Sequence, residues 1–147
     1  MSHGPQTFDD LDVGSLFEAG PREITRSDID DFTRISGDKT ALHSDDAYAS
    51  STPFGGVVAH GALSLAAATG LAYETGIFEG TVLAVRQMDV RFDRPVFPGD
   101  RVDLRLTVAE RDEKPRPNRG RVGFDVDLRN QDGRTVLSGR WTLVIRR

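Results

Sequence analysis

Cysteine is absent from this chain of 147 residues. That excludes disulfides, zinc–thiolate sites, iron–sulfur clusters and cysteine nucleophiles. Long apolar runs are missing too. The most apolar stretch, Ala62 to Ala72, is about half of the roughly 20 residues that cross a bilayer, so no membrane contact is expected. Lysine is scarce: Lys39 and Lys114 stand beside seventeen arginines. Lys and Arg total 19 against 23 Asp and Glu, a net charge of −4. That balance lacks the basic footprint of a nucleic-acid binder. The opening Met1-Ser2-His3-Gly4-Pro5-Gln6 has neither a basic start nor an apolar core, so it does not read as a secretory signal. Residues 1–6 are expected to be a loose lead-in to one domain spanning 1–147, resident in the cytoplasm.

What is present divides into a helical first half and a strand-rich second half. Ser27-Asp28-Ile29-Asp30 reads as a helix start with Ser27 as cap and Asp30 completing an imperfect capping box. The helix should run from Asp28 to about Ser36, with Ile29, Phe32 and Ile35 on one face, and stop at Gly37. A short helical turn is expected at Asp45–Ala49 within an irregular stretch. Gly61 then opens a second helix, Ala62 to Glu74, apolar nearly all round and therefore buried. From Met88 onward the period drops to two. Met88/Val90/Phe92, Val102/Leu104/Leu106/Val108, Val122/Phe124/Val126/Leu128 and Leu137/Gly139/Trp141/Leu143/Ile145 alternate with other residues, as antiparallel strands with one wet face do. Asp132-Gly133 marks a hairpin, Pro98-Gly99-Asp100 a turn, and Glu113–Gly120 a longer loop. A further strand is expected near Leu16–Ile24. One apolar helix and one half-apolar sheet are best satisfied by wrapping the sheet around the helix, an α+β architecture. Its open edges imply self-association.

The chemistry-bearing residues gather in the irregular stretch. Of three histidines, His3 sits in the lead-in, while His43 and His60 precede the buried helix. Asp38 lies five residues before His43 across a turn. Such a pair can hold a water, take its proton and return a proton elsewhere. Equally, Asp38 can cap a turn while His43 satisfies a backbone group. The run Phe54-Gly55-Gly56-Val57-Val58-Ala59-His60-Gly61 leads into a helix N-terminus, whose free N–H groups suit an anion; glycines that merely admit close backbone packing would look the same. Metal binding by His43 and His60 lacks a ligand-spacing motif. A serine triad lacks a nucleophile elbow.

Taken together, Ser36-Gly37-Asp38-Lys39-Thr40-Ala41-Leu42-His43-Ser44-Asp45 and Phe54–Gly61 resemble the MaoC-type (R)-specific enoyl-CoA hydratases. That family carries Asp-x-Asn-Pro-(Leu or Ile)-His, then Phe-Gly…His-Gly at the entry to a central helix. Arg91–Asp100 resembles the family's sheet segment. The likeness covers roughly residues 7 to 145. It implies a hotdog fold around the helix Ala62–Glu74, a homodimer or higher homo-oligomer, and acyl-CoA or acyl-carrier-protein thioesters as substrates. The implied reaction is reversible hydration of a trans-2-enoyl thioester to a (3R)-hydroxyacyl thioester. Asp38 and His43 would hold the water, with Asp38 as base and His43 as proton shuttle. Backbone N–H groups around Gly56 and Gly61 would stabilise the oxyanion, and Thr40 and His60 would support the loop. No metal or cofactor is implied; coenzyme A enters as part of the substrate. Thr40 and Ala41 replace the family's Asn and Pro, and Lys39 adds an unusual charge. Two alternatives accompany this reading: a hotdog thioesterase using an acid such as Glu74, and a non-catalytic acyl-binding subunit of a hetero-oligomer.

Overall fold

The computed structural model describes residues 3–147. Five strands, β1 (Leu16–Glu23), β2 (Val82–Phe92), β3 (Arg101–Arg111), β4 (Arg119–Arg129) and β5 (Thr135–Arg146), form one antiparallel sheet in the order β1-β3-β4-β5-β2. Among the described residues, a 3-10 turn at Phe8–Asp10 and four α-helices precede β2: α1 (Arg26–Ser36), α2 (Ala41–Ser44), α3 (Asp46–Ser50) and α4 (Gly61–Glu74). The expected α+β hotdog arrangement is the observed one. The alternation of β3 and β4 puts Val102, Leu104, Leu106, Val108, Phe124 and Leu128 in the core. Register shifts interrupt every strand pairing, at Ala19/Arg22, Val85/Gln87, Val108/Glu110 and Leu128/Arg129 among others. Such bulges bend strands and increase twist, which lets a sheet close around a helix. The Asp132-Gly133 hairpin forms as expected, with Asn130 N–H donating to Arg134 O at 2.9 Å.

α4 packs on β1 and β3 through Leu63, Ala67, Ala68 and Leu71, all buried. Burying a leucine contributes about 1.5–3 kcal/mol. The helix is not covered all round. Ala62, Ala66, Thr69 and Tyr73 recur at a helical period and stay exposed. They line up along one side that the single chain leaves open. At its start Gly61 is required by close approach: a β-carbon there would stand 2.8 Å from the Phe92 ring.

Several local expectations are corrected. The cap of α1 is Thr25, two residues before Ser27; its hydroxyl accepts from Asp28 N–H at 3.0 Å, and Asp28 Oδ2 accepts from Thr25 N–H at 2.9 Å. The capping box is therefore Thr25/Asp28, with acid and hydroxyl three residues apart as the motif demands. Ile29 is buried, but Ile35 is 72% exposed, because α1 presents only its first turns to the core. The turn expected at Asp45–Ala49 forms as α3, capped by Asp45, and a further short helix, α2, precedes it. The lead-in is anchored from His3 onward: its N–H donates to Thr75 O at 2.6 Å, and that of Gln6 to Ile77 O at 2.8 Å. Met1 and Ser2 lie outside the described residues. No helix among the described residues is long and apolar enough to cross a membrane.

Candidate active site

The end of α1 sets the first catalytic candidate. Gly37, in the left-handed region at φ 75°, stops the helix and turns the chain outward. Asp38 follows, exposed, with its N–H donating to Ser36 Oγ at 3.0 Å. Its Oδ1 accepts both from Thr40 N–H at 3.1 Å and from Thr40 Oγ1–H at 2.6 Å. These bonds to the charged form hold the Asp38 carboxyl below the usual carboxylate range, and the nearby His43 and His60 rings push it the same way to a lesser extent. Oδ2 has no protein partner among the described residues. Thr40, in the place of the family's Asn, thus bonds to Asp38 by both its backbone and its hydroxyl.

α2 carries His43. Its Nδ1 lies 2.7 Å from Val58 O, so Nδ1–H donates and Nε2 keeps a bare lone pair. Val58 N–H donates back to Leu42 O at 3.3 Å, stitching α2 to the loop before α4. His60 stands at the N-cap of α4 and is 2% exposed. Its Nε2 is 3.2 Å from Thr33 Oγ1 and 3.2 Å from Asp38 O. Thr33 already donates its hydroxyl to Ile29 O at 2.9 Å, so His60 Nε2–H is the donor to both. His60 Nδ1 is buried without a partner among the described residues, and burial pushes the imidazole below its ordinary pKa. A neutral ring is what the site needs there, since the His43 ring stacks on it at 4.1 Å and 26°. Phe32 packs against the same ring at 4.9 Å.

The structure therefore brings Asp38, His43 and His60 together, one ligand-capable atom from each lying within 4.8 Å of the others. A zinc ion would need imidazole nitrogens about 2.0–2.1 Å away along their in-plane lone pairs. Two stacked rings in near-parallel planes do not aim at one point. The free acceptors, Asp38 Oδ2 and His43 Nε2, instead suit a water that donates to each. Beside them, the Gly61 and Ala62 N–H groups at the start of α4 have no protein acceptor among the described residues, and the helix dipole makes that end attractive to negative charge. Gly56 has no bond or contact among the described residues that joins it to Asp38 or His43. Glu74 ends α4, about 20 Å from Gly61 at 1.5 Å per residue. Phe32 was placed in the sequence on the apolar face of α1, whereas Thr33 and the Val58 carbonyl were not singled out: Thr33 lies just off that face, and a backbone carbonyl has no sequence signal.

A sheet wrapped on a central helix, with Asp38 and His43 brought together at the helix entry, defines a hotdog domain. Residues 12–128 match the family model described as "MaoC like domain", and the chain belongs to that family. It is 34% identical over 112 residues to a 3-hydroxybutyryl-CoA dehydratase of Methylorubrum extorquens, covering 70% of this chain and 64% of that protein. A second curated relative at 34% identity is longer still, the chain spanning 32% of it. The R-hydratase PhaJ1 of Pseudomonas aeruginosa superposes with a TM-score of 0.80 at 31% identity, covering 95% of this chain and 84% of that one. A Mycobacterium tuberculosis protein described as a double hotdog fold superposes with a TM-score of 0.83 at 24% identity over 97% of this chain and 44% of its own; that likeness concerns the fold alone. The chain spans about a third and just under two thirds of these two curated relatives.

Proposed function

We propose that this protein reversibly hydrates a trans-2-enoyl thioester to a (3R)-hydroxyacyl thioester, using one water held by Asp38 and His43. The observation that carries the reading is the pair of unpartnered acceptors, Asp38 Oδ2 and His43 Nε2, each fixed from behind by Thr40 or by the Val58 carbonyl. Asp38 draws the water's proton as its oxygen bonds to the β-carbon. The proton passes through His43 to the α-carbon, so the pair ends as it began. The electrons of the alkene move onto the thioester oxygen, and the Gly61 and Ala62 N–H groups stabilise that enolate. Coenzyme A or an acyl-carrier protein enters as part of the substrate. Glu74, at the far end of α4, is poorly placed to serve a thioesterase, and the complete Asp38/His43 pair speaks against a purely binding subunit.

The test is turnover of crotonyl-CoA, followed both as loss of the enoyl absorbance and as release of free thiol. Absorbance loss without thiol, with the product of (3R) configuration, is the expected result. Thiol release would replace the hydratase with a thioesterase. Neither signal, across a panel of enoyl chain lengths on both carriers, would leave a binding protein.

A further inference from the structure

A groove of about 830 Å³ lies at the other end of the sheet from Asp38 and His43. At one end of β2, Phe92 packs on Gly61. The groove belongs to the opposite end, where Val144 of β5 pairs with Ala84 and Arg119 of β4 pairs with Arg146. Arg86, Arg111, Lys114, Arg116, Arg119 and Arg121 line it, against two acids, Asp112 and Glu113. This is a concentrated positive field in a chain of net charge −4.

Two of the six cations are committed. Arg121 Nε reaches Asp112 at 3.3 Å, and Arg111 donates to Leu11 O at 2.8 Å while lying 4.4 Å over the Phe8 ring. Arg86, Lys114, Arg116 and Arg119 form no ion pair among the described residues; Arg119 reaches only the Asn118 side-chain oxygen at 3.3 Å. Like charges held around one concavity repel, and an anion between them relieves that repulsion. Guanidinium forks match phosphate oxygens in pairs. Four uncommitted cations exceed what one phosphate engages, and the cavity is far larger than one.

We propose that this groove binds a multiply phosphorylated small molecule. A free nucleotide and the 3′-phosphate and diphosphate of coenzyme A present that same chemistry. The coenzyme A source rests on the hydratase reading; binding itself does not.

The experiment is calorimetric titration of the whole protein with inorganic pyrophosphate and with 3′,5′-ADP, using adenosine as the uncharged control. Both anions should bind at one site per chain, more weakly as salt rises from about 50 mM to about 300 mM. Adenosine should not bind. Replacing Arg116→Ala and Arg119→Ala together should weaken both anions at least about tenfold, with circular dichroism unchanged, because Arg116 is exposed and Arg119 only half-buried. Displacement of 3′,5′-ADP by coenzyme A, with a raised KM for crotonyl-CoA in the double variant and an unchanged KM for crotonyl-pantetheine, assigns the coenzyme. Displacement by ADP and not by coenzyme A assigns a free nucleotide. The proposal is overturned if neither anion binds, if the double variant binds as the wild type does, or if only an acidic carrier protein occupies the groove. Titration heats do not depend on turnover, so a failed hydratase assay leaves this result readable.

Discussion

At the scale of single residues, the site is a set of assigned protons. His43 is pinned as the Nδ1–H tautomer by Val58 O, and His60 as the Nε2–H tautomer by Thr33 and Asp38 O. Asp38→Asn and His43→Ala should each lower kcat on a good enoyl-CoA by at least about 10²-fold. The double variant should lose much less than the product of the two, since both act on one water. Steady-state kinetics on folded variants checks this; near-wild-type turnover in either single variant removes the mechanism. Thr40→Val strips the hydroxyl hydrogen bond from the charged form of Asp38 and leaves the backbone one in place. The carboxyl then rises toward its ordinary value, and the acid limb of the kcat/KM profile should move to higher pH. An unmoved limb would mean that another group sets it. His60 works in the opposite sense for stability. Its folded pKa lies below the unfolded value of 6.5, so the unfolded chain binds more protons as pH falls through that value. Its contribution is present above pH 6.5 and declines below it. The melting temperature should drop between about pH 7.5 and about pH 5.5, and His60→Gln should flatten that dependence.

At the scale of elements, the fit between α4 and its surroundings leaves little room. Ala67 is 2% exposed against the sheet. Ala67→Leu should cost about 1–3 kcal/mol by overpacking, read as a lowered melting temperature. Gly61→Ala meets the Phe92 ring instead, at the mouth of the site. It should impair turnover more than a surface alanine would, because the ring or the helix start must move. Much of this was legible beforehand. The period-two runs of β3, β4 and β5 and the alanine-rich α4 are long enough for pattern to decide. The cap of α1 was not, since Thr25 and Ser27 are both good cap residues and only hydrogen-bond geometry chooses between them. Ile35 continued the apolar spacing of α1 but lies past the end of the contact with the core. Asp38, Thr40, His43 and His60 were legible through their resemblance to a family motif, whereas the Val58 carbonyl that sets the His43 tautomer was not. The basic groove escaped for a similar reason: its cations come from β2, β3, β4 and the β3–β4 loop, and only the folded sheet brings them together.

At the scale of the whole molecule, β2 is the incomplete part. It pairs only with β5 and forms one edge of the sheet. Leu83, Val85 and Phe92 on that strand are 45%, 55% and 58% exposed, and Tyr73 on the open side of α4 is 64% exposed. A long edge strand carrying apolar side chains is a template for pairing with another chain. Asp38 and Thr40 are exposed in the single chain, so a water activated there stands in bulk solvent unless something covers it. A second copy meeting the first along β2 would satisfy the strand, bury the open side of α4 and close the approach to Asp38 at once, by a two-fold operation that uses the same patch twice. The expected assembly is a homodimer. Light scattering at low micromolar concentration should give a mass near twice the chain's 16.1 kDa. Val85→Lys places a charge on the pairing edge; it should shift the mass toward a single chain and reduce turnover together, while Val13→Lys, at an exposed valine outside the sheet, should change neither. A wild-type mass of one chain would remove the dimer. A monomeric Val85→Lys variant with full turnover would instead show that Asp38 and His43 hold and shield their water within a single protomer.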